Sequence, residues 1–459
     1  MSHHYTAQLA EFIAELRYDD LPGPVVERVK LLALDAVGCG LLGAAMPWSA
    51  RLRDTLEAIE SRGDALVWGT QRRFSAPSAA LSNGTSVHGF ELDDVSHGGH
   101  HGSVVLTSGL AVADHRGGIS GQELITAMVA GVETAARVQS CMGRVPQVTA
   151  GFHGPGLIGT FGAVASAGRA LGLGAGQVVD ALGHGGQFTG GLMATQHGGM
   201  GKRMLAGRAA QSGTLAALLA GRGFTNVPNV FEAEYGGFCR AFSGARETYK
   251  LDELARDLGA KWWSSDLNFK LWACRVPIHP TLEALSQLRQ EHDLSAERVR
   301  QVRVWLDEGA YKAVGFPWVP TTPTSAQLNL TYCAAMLLLE DDLFVDQFAE
   351  EKLADPRVLD LAGRIECTHD PELDAFGSFQ RRTRVEVRLE DGQLLSTVGE
   401  TRGTPGNPLT RGDVVDKFRK VTERRLGRDA QEALIAVCDR LETLEDTRRL
   451  SSLLETSPH

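Results

Sequence analysis

The chain has no apolar run long enough to cross a membrane, and its first residues lack the pattern of a secretory signal. A transmembrane helix needs about 20 consecutive, mainly apolar residues. A signal peptide needs a basic region followed by an apolar core. We therefore expect no membrane partner and no signal peptide.

Cysteine is scarce, and positive charge does not predominate. The seven cysteines lie far apart, at positions 39, 141, 239, 274, 333, 367 and 438, and form no CxxC pair. An odd, scattered set is typical of reduced thiols rather than of a disulfide framework, which predicts a cytoplasmic protein. The net charge of −10 argues against nucleic acid as a partner.

What the sequence does contain is a dense polar stretch at 88–103, HGFELDDVSHGGHHGS. The segment 83–85 before it predicts a loop, and 104–114 after it predicts a buried helix. Carboxylate beside imidazole is the pairing of general acid–base catalysis, because the anion fixes the tautomer of the ring and raises its basicity. The carboxylates are Glu91, Asp93 and Asp94, and the imidazoles are His88, His97, His100 and His101.

Two other interpretations of 88–103 stay open at this point. A histidine-rich tract can bind a metal, but the chain has no HExxH helix, and the adjacent His100 and His101 diverge on any regular element. We therefore predict a site without metal. A solvated loop that caps a helix is the commoner role of a single His or Asp, and it would account for some of the seven groups.

The pattern of apolar residues divides the chain into two parts, since 459 residues exceed what one hydrophobic core usually supports. Small residues and helical periodicity predict tightly packed helices at 5–17, 24–44, 104–114, 122–141, 156–172, 205–222 and 281–289. β-branched, partly alternating segments predict strands at 299–306, 364–368, 383–389 and 394–401, with a helix at 324–339 among them.

We predict from this a mainly α fold with an inserted α+β domain. Residues 1–264 and 401–459 form the large all-helical domain in this interpretation, and 265–400 form the smaller α+β lid domain. A cleft between two such domains is a usual place for a small-molecule site.

Outside 88–103, polar groups stand just before three helices that are rich in small residues. Backbone N–H groups at the start of such a helix suit an anion. Each group alone has a plainer explanation, since a histidine there can cap the helix and an exposed Lys or Arg is usually solvated. One of these groups alone would mean little. The groups are His153 before 156–172, Gln196, Lys202 and Arg203 before 205–222, and Lys270, Arg275 and His279 before 281–289.

Five segments, taken in order, resemble the MmgE/PrpD family, which includes 2-methylcitrate dehydratase, cis-aconitate decarboxylase and iminodisuccinate epimerase. The resemblance implies a helical large domain, a lid domain, a homodimer and metal-independent chemistry on small polycarboxylates without a cofactor. The segments are HGFELDD…HGS (88–103), FHGPGLIGTFGAVASAGRALGL (152–173), K-R-x-x-x-G-x-A-A-x-x-G (202–213), FKLWACRVPIHPTLEAL (269–285) and TPGNPLT…KF (404–418).

The resemblance also implies roles for individual residues. Catalytic positions fall on Glu91, His101, His153 and Lys202, with Asp93 as the group that orients an imidazole, and substrate-binding positions fall on Lys270 and His279. We add Gln196, Arg203 and Arg275 to the binding set. The chain departs from the decarboxylase pattern at Val95, where a threonine is expected, at Arg275, where a histidine is expected, and across 309–320 of the lid.

These residues suit a reaction that builds negative charge next to a carboxylate. Preset cations stabilise a carbanion or enolate more than they stabilise the substrate. Because a permanent guanidinium at position 275 cannot shuttle protons, we predict a hydro-lyase similar to 2-methylcitrate dehydratase. Epimerisation of an amino or imino dicarboxylate is the first alternative, and cis-aconitate decarboxylation is the second. A protein that only binds organic anions would not need the acid–base groups of 88–101.

Overall fold

The computed structural model of the chain describes residues 4–59, 62–143, 151–197, 199–243, 248–376 and 381–456. Helices dominate, and a four-stranded sheet lies in the C-terminal half. The predicted fold class, mainly α with a smaller α+β part, is confirmed.

The first half of the chain consists of helices that bury most of their surface, together with a short hairpin of β1 Ala65–Leu66 and β2 Arg73–Phe74. The helices are α1 Tyr5–Glu15, α2 Gly23–Ala44, α3 Pro47–Ile59, α4 Ala76–Val87, α5 Thr107–Arg116, α6 Gly121–Met142, α7 Gly154–Leu171, α8 Ala175–Phe188, α9 Gly201–Gly221 and α10 Phe238–Ser243. Helix α7 packs against α6, α8 and α9, and its small residues permit the close approach.

The second half contains a sheet with the strand order β4-β3-β5-β6. Strand β3 pairs in parallel with β4, and the other neighbours are antiparallel. Helix α11 packs against β5 and β6. The elements are α11 His279–His292, β3 Val299–Leu306, α12 Glu308–Val314, α13 Pro323–Gln327, α14 Leu330–Glu340, α15 Glu350–Leu353, α16 Pro356–Gly363, β4 Ile365–His369, β5 Arg382–Leu389 and β6 Leu394–Glu400.

The last helices pack against the first half of the chain. They are α17 Arg411–Thr422, α18 Arg428–Asp439 and α19 Arg448–Leu454. Helix α17 lies along α2, where the Lys417 ammonium and the Asp35 carboxylate form a buried ion pair at 2.5 Å. The chain thus returns to its starting region, although the predicted domain bounds themselves stay a prediction.

The prediction of a loop at 83–85 was wrong, because the segment lies inside α4. The Asn83 side chain accepts from the Trp68 N–H and donates to the Leu66 carbonyl, both at 2.9 Å. Gly84 lies so close to Gly207 that an added Cβ would stand 2.7 Å from the Gly207 Cα. Residues that are typical of turns serve here for contacts with other parts of the fold.

The predicted helix 324–339 is in fact two helices, α13 and α14, divided at Asn329. The Asn329 side chain accepts from the Tyr332 N–H at 2.8 Å and so caps the new helix. The break places the end of α13, including Gln327, in the interior.

The structure bears on two of the sequence predictions, reduced cysteines and the lack of a membrane-spanning helix. All seven cysteines are free thiols. None of the described helices alone has the length and apolarity of a membrane span, although α2 and α3, which bend by 81° at their junction, reach those limits as a pair.

Candidate active site

The candidate site is organised around Glu91, which follows the short helical turn His88–Phe90 at the end of α4. Its φ of 57° lies in the left-handed region, which costs a non-glycine residue about 1–3 kcal/mol. Its side chain is buried. A strained and buried carboxylate needs strong compensating contacts, and cations provide them.

Three cations surround the Glu91 carboxylate. The Lys202 ammonium contacts Oε1, and the Lys270 Nζ lies 3.0 Å from Oε2. The Arg203 Nη1 lies 3.9 Å from Oε1. Lys202 and Arg203 stand in the first turn of α9, whereas Lys270 belongs to the irregular segment before α11. The fold therefore joins three distant segments at one carboxylate.

A fourth cation, Arg275, completes a group that we call the cationic cluster: Lys202, Arg203, Lys270 and Arg275. Burial and the charges of Arg203, Lys270 and Arg275 lower the pKa of Lys202 well below its usual value, while contact with Glu91 acts in the opposite sense. Burial also lowers the pKa of Arg275 and brings that of Arg203 to about 10. Three cations that share one carboxylate, with Arg275 as a further charge near Lys202, favour an anionic ligand.

A second group, the imidazole cluster, consists of His88, Asp93, His100 and His153. The Asp93 Oδ2 lies 2.9 Å from His88 Nδ1 and 3.1 Å from His100 Nδ1. The His88 ring centroid is 4.5 Å from that of His100 and 5.8 Å from that of His153. Two carboxylates two residues apart thus serve different partners, Glu91 the cations and Asp93 the imidazoles.

The hydrogen bonds of the imidazole cluster indicate which nitrogens carry protons. His153 caps α7, because its Nδ1 accepts from the Gly156 N–H at 3.3 Å, so the neutral ring carries its proton on Nε2. His88 faces the Asp93 anion with Nδ1, and its buried Nε2 has no hydrogen-bond partner within the described ranges. His153 is therefore a candidate proton donor, and His88 is a candidate proton acceptor.

Burial keeps the His88 and His153 rings neutral. It lowers the pKa of His88 to about 3 against the opposing charge of Asp93, and it lowers that of His153 well below the usual value, with His88 and His100 adding to the effect. Burial alone would raise the pKa of Asp93, but His100 and His88 hold it well below its usual value. Asp93 is thus an anion beside the neutral His88 ring, which suits proton transfer at neutral pH.

His101 lies beside this cluster rather than within it. Its Nε2 donates to the Ser96 carbonyl at 3.0 Å, and burial lowers the pKa of the ring to about 3. Asp94 accepts the backbone N–H groups of His101 and Gly102, both at 2.8 Å. Asp93, for which we predict the role of orienting an imidazole, contacts His88 and His100 rather than His101 or His153.

Two of the remaining predicted binding residues, Arg275 and His279, lie just before α11 and at its start. The Arg275 Nη1 donates to the Ala313 carbonyl at 3.3 Å, and its charge lowers the pKa of both Lys202 and His153. His279 begins α11, with its Nε2 3.2 Å from the Cys274 carbonyl oxygen. The side chain of Gln196 lies outside the described residues.

A mainly apolar cavity of about 400 Å³ borders this region. Lys270, His279 and Val95 contribute to its wall, together with residues at the end of α6. Its volume is in the range of small-molecule sites.

Sequence reasoning noted His88 and His100 but gave them no role, and it missed Gln327, which contacts Arg203. The signal for the two histidines was their density in 88–101. Within the described part of the chain, His88, Asp93 and His100 also form a group whose ligand atoms lie within 4.8 Å of one another, as a metal site requires. The absence of a metal therefore stays a prediction.

The sequence as a whole matches two family models. They describe the MmgE/PrpD N-terminal domain, over residues 7–250, and the MmgE/PrpD C-terminal domain, over residues 272–443.

Individual relatives span nearly the whole chain. A cis-aconitate decarboxylase-like protein of Aspergillus oryzae is 31% identical over 98% of this chain and 97% of its own length. The cis-aconitate decarboxylase of Homo sapiens is 27% identical over 98% of this chain and 94% of its own length. The 2-methylcitrate dehydratase of Cupriavidus necator is 24% identical over 92% of this chain and 90% of its own length. The chain therefore belongs to the MmgE/PrpD family.

Proposed function

We propose that the chain is a metal-independent lyase for a small polycarboxylate, and that it removes water from a substrate similar to 2-methylcitrate. The observation that carries this proposal is the cationic cluster, in which three buried cations share the single carboxylate of Glu91 and Arg275 acts on Lys202 as a fourth charge. A bound di- or tricarboxylate would supply the missing negative charge. The apolar cavity beside Lys270 would receive its carbon skeleton.

The cationic cluster lowers the barrier by stabilising charge that develops in the reaction. When a proton leaves the carbon next to a carboxylate, the electron pair spreads onto the carboxylate oxygens. Preset cations in a water-poor site stabilise this enolate more than the starting acid. Lys202 and Lys270 would exchange part of their contact with Glu91 for the substrate anion.

The proton transfers need both a base and an acid, and the imidazoles offer both. His88, with Asp93 behind its Nδ1, would accept the proton on its unpartnered Nε2, and the imidazolium so formed would give that proton to the departing hydroxyl group, which leaves as water. The neutral His153 would donate a hydrogen bond from Nε2 to the same oxygen. His101 is the further candidate for either transfer. The charge of the bound substrate would raise the low pKa of these rings, since a nearby anion favours their protonated form.

Decarboxylation of cis-aconitate is the second candidate, favoured by the names of several relatives at 27–31% identity. A decarboxylase needs one acid to protonate the carbanion. Arg275 cannot provide it, because a guanidinium stays protonated in proteins. The imidazole cluster could provide it, so the two reactions require a direct comparison.

The test follows 2-methylcitrate, citrate and cis-aconitate by NMR in D₂O, with trapping of released CO₂. We expect an unsaturated acid from 2-methylcitrate or citrate without CO₂. Release of CO₂ from cis-aconitate as the fastest reaction would replace dehydration by decarboxylation. Binding of the acids without turnover or deuterium uptake would leave only an anion-binding protein. The exposed Lys312→Met variant is the matched control for Lys202→Met.

A further inference from the structure

The strained turn at Glu91 is held on both sides by side chains from distant parts of the chain. The carbonyl of Phe90 accepts from the Gln327 Nε2 at 3.0 Å, across 237 positions in the sequence. The carbonyl of Leu92 accepts from the Lys417 Nζ at 2.5 Å, across 325 positions. The conformation that aims Glu91 at the cations therefore depends on contacts made outside 88–103.

Gln327 has further partners. Its Nε2 also donates to the Ala273 carbonyl at 2.9 Å, and its Oε1 accepts from the Arg203 Nη2 at 2.5 Å. Its backbone carbonyl accepts from the Arg275 N–H at 3.0 Å. The residue has no exposed surface. Two carbonyls on one side and a guanidinium on the other permit one orientation of the amide, because the reverse orientation would oppose like groups.

We propose that Gln327 is a positioning residue that sets the distance between Glu91 and the cationic cluster. It ends α13 in the lid region, yet it binds the peptide before Glu91, the guanidinium next to Lys202 and the backbone of Arg275. Docking of α13 and assembly of the carboxylate-binding site are then one event. The inference rests on the proposed function for its kinetic meaning, but the geometry is independent of the substrate.

The bond to Arg203 explains how Gln327 affects the lysines. Gln327 and Thr324 hold the Arg203 Nη2, while Nη1 remains 3.9 Å from Glu91. Without the amide oxygen, the guanidinium would move towards Glu91 and compete with Lys202 for the carboxylate. Lys202 would then lose its anion, and its pKa, already lowered by burial, would fall further.

Gln327 does not titrate, both of its amide hydrogens are already donated, and it has no exposed surface, so we assign it no contact with substrate. A displacement of about 1 Å at reacting groups can cost roughly 10²-fold in rate. For Gln327→Met, which conserves the approximate volume but removes the three side-chain hydrogen bonds, we expect kcat to fall about 10²-fold. The alkaline rise of KM should also begin at lower pH than in the wild type, because Lys202 loses its proton more readily.

The matched control is Gln347→Met. Gln347 is also a buried lid glutamine, but its side chain bonds to Glu340 and to the Phe344 N–H. Both variants lose buried hydrogen bonds, so both should lower the unfolding midpoint. Only Gln327→Met should change kcat and the pH dependence of KM. Equal kinetic changes in both variants, or a wild-type pH profile in Gln327→Met, would overturn the proposal.

Hydrogen exchange measured by mass spectrometry tests the same inference without any substrate. We expect faster amide exchange in peptides covering 88–103 and the start of α9 in Gln327→Met, and no such change in Gln347→Met. Unchanged exchange there would contradict the inference even if the enzyme is a lyase. Selective exchange in a protein that turns over no polycarboxylate would instead reject only the proposed function.

If Gln327→Met does not fold, Thr324→Val provides the milder variant. Thr324 accepts from the same Arg203 Nη2 at 2.9 Å, and valine has nearly the same shape. We expect the same direction of change in the KM profile and in exchange at 88–103, with a smaller size. A wild-type profile together with wild-type exchange in this variant would overturn the coupling.

Discussion

The two halves of the candidate site differ in charge and in how the chain assembles them. The imidazole cluster comes mainly from one short stretch, with His153 added from the start of α7, and burial keeps His88 and His153 neutral. The cationic cluster is gathered from the start of α9 and from the irregular segment before α11, and three of its cations share the one Glu91 carboxylate. One half is equipped to move protons and the other to hold anions.

Two carboxylates, Glu91 and Asp93, allow the cationic cluster and the imidazole cluster to lie close to each other. Glu91 and Asp93 flank Leu92, and each faces a different set of partners. Asp93 also acts on Lys270, where it opposes the lowering of the lysine pKa by burial. A separation of roles therefore does not require separation in space, and substitutions can test each half alone.

The largest effect is expected from the cationic half. Lys202→Ala should lower kcat by about 10²- to 10³-fold, the usual loss when one group that stabilises developing charge is removed. The variant should fold, because Glu91 keeps Lys270 at 3.0 Å. Steady-state kinetics and circular dichroism check both statements, with Lys312→Ala as the surface control. A kcat close to wild type would place the anion site elsewhere.

Within the imidazole half, His101→Ala and His88→Gln should each lower kcat by about 10²-fold, as is typical when one acid or base is lost. The exposed His115→Gln serves as the control. If His88→Gln is impaired and His101→Ala is not, proton transfer lies with Asp93 and its contacts. The reverse result would show that the imidazole beside Ser96 carries the chemistry.

Arg275→Met should raise KM by about 10-fold or more with a smaller change in kcat, since a charge-assisted hydrogen bond contributes about 1.5–3 kcal/mol to binding. Such a result would assign Arg275 to the anion-binding half. Rescue by Arg275→His together with new release of CO₂ from cis-aconitate would show that this position selects the reaction. An unchanged KM for the best substrate would remove Arg275 from the binding set.

Stability should fall when the pH is lowered below about 6.5. The folded protein holds His88 and His101 with a pKa of about 3, so below the unfolded pKa near 6.5 only the unfolded chain binds these protons. Each ring then costs about 1.4 kcal/mol per pH unit. Asp94 opposes this with one group, because burial raises its pKa to about 7 and the folded state keeps its proton.

Urea unfolding at pH 7, 6 and 5 measures this dependence. His88→Gln should reduce the slope of unfolding free energy against pH, whereas His115→Gln should not. A slope that is equal in wild type and His88→Gln would show that His88 is not held neutral, and it would weaken the contrast between the two halves.

The smallest effect is expected from chelation. Exhaustive treatment with EDTA should leave turnover unchanged, because the proposed chemistry uses only side chains. Loss of activity that Zn²⁺, Fe²⁺ or Mg²⁺ restores would instead assign a catalytic ion to His88, Asp93 and His100, whose ligand atoms lie close enough to hold one.

The sequence by itself determined the elements whose patterns are local. The strands 299–306 and 383–389 and the helix 24–44 follow from alternation or helical spacing, and each was found within one residue of its predicted bounds. The stretch 88–103 was recognisable for the same reason, since its acid and base groups are neighbours in the chain. The family motifs added the lysines and His153 one segment at a time.

Only the tertiary structure decided which of these groups meet. Lys270 reaches Glu91 across 179 positions and Gln327 reaches Phe90 across 237, distances over which sequence spacing carries no information. The sequence around Asn83 and Gly84 predicts a loop, because the contacts that these residues make inside a helix involve Leu66, Trp68 and Gly207, which belong to other parts of the chain. Asp93 contacts His88 and His100 rather than the predicted His101 or His153, because the path of the backbone after Asp94 determines where each ring points.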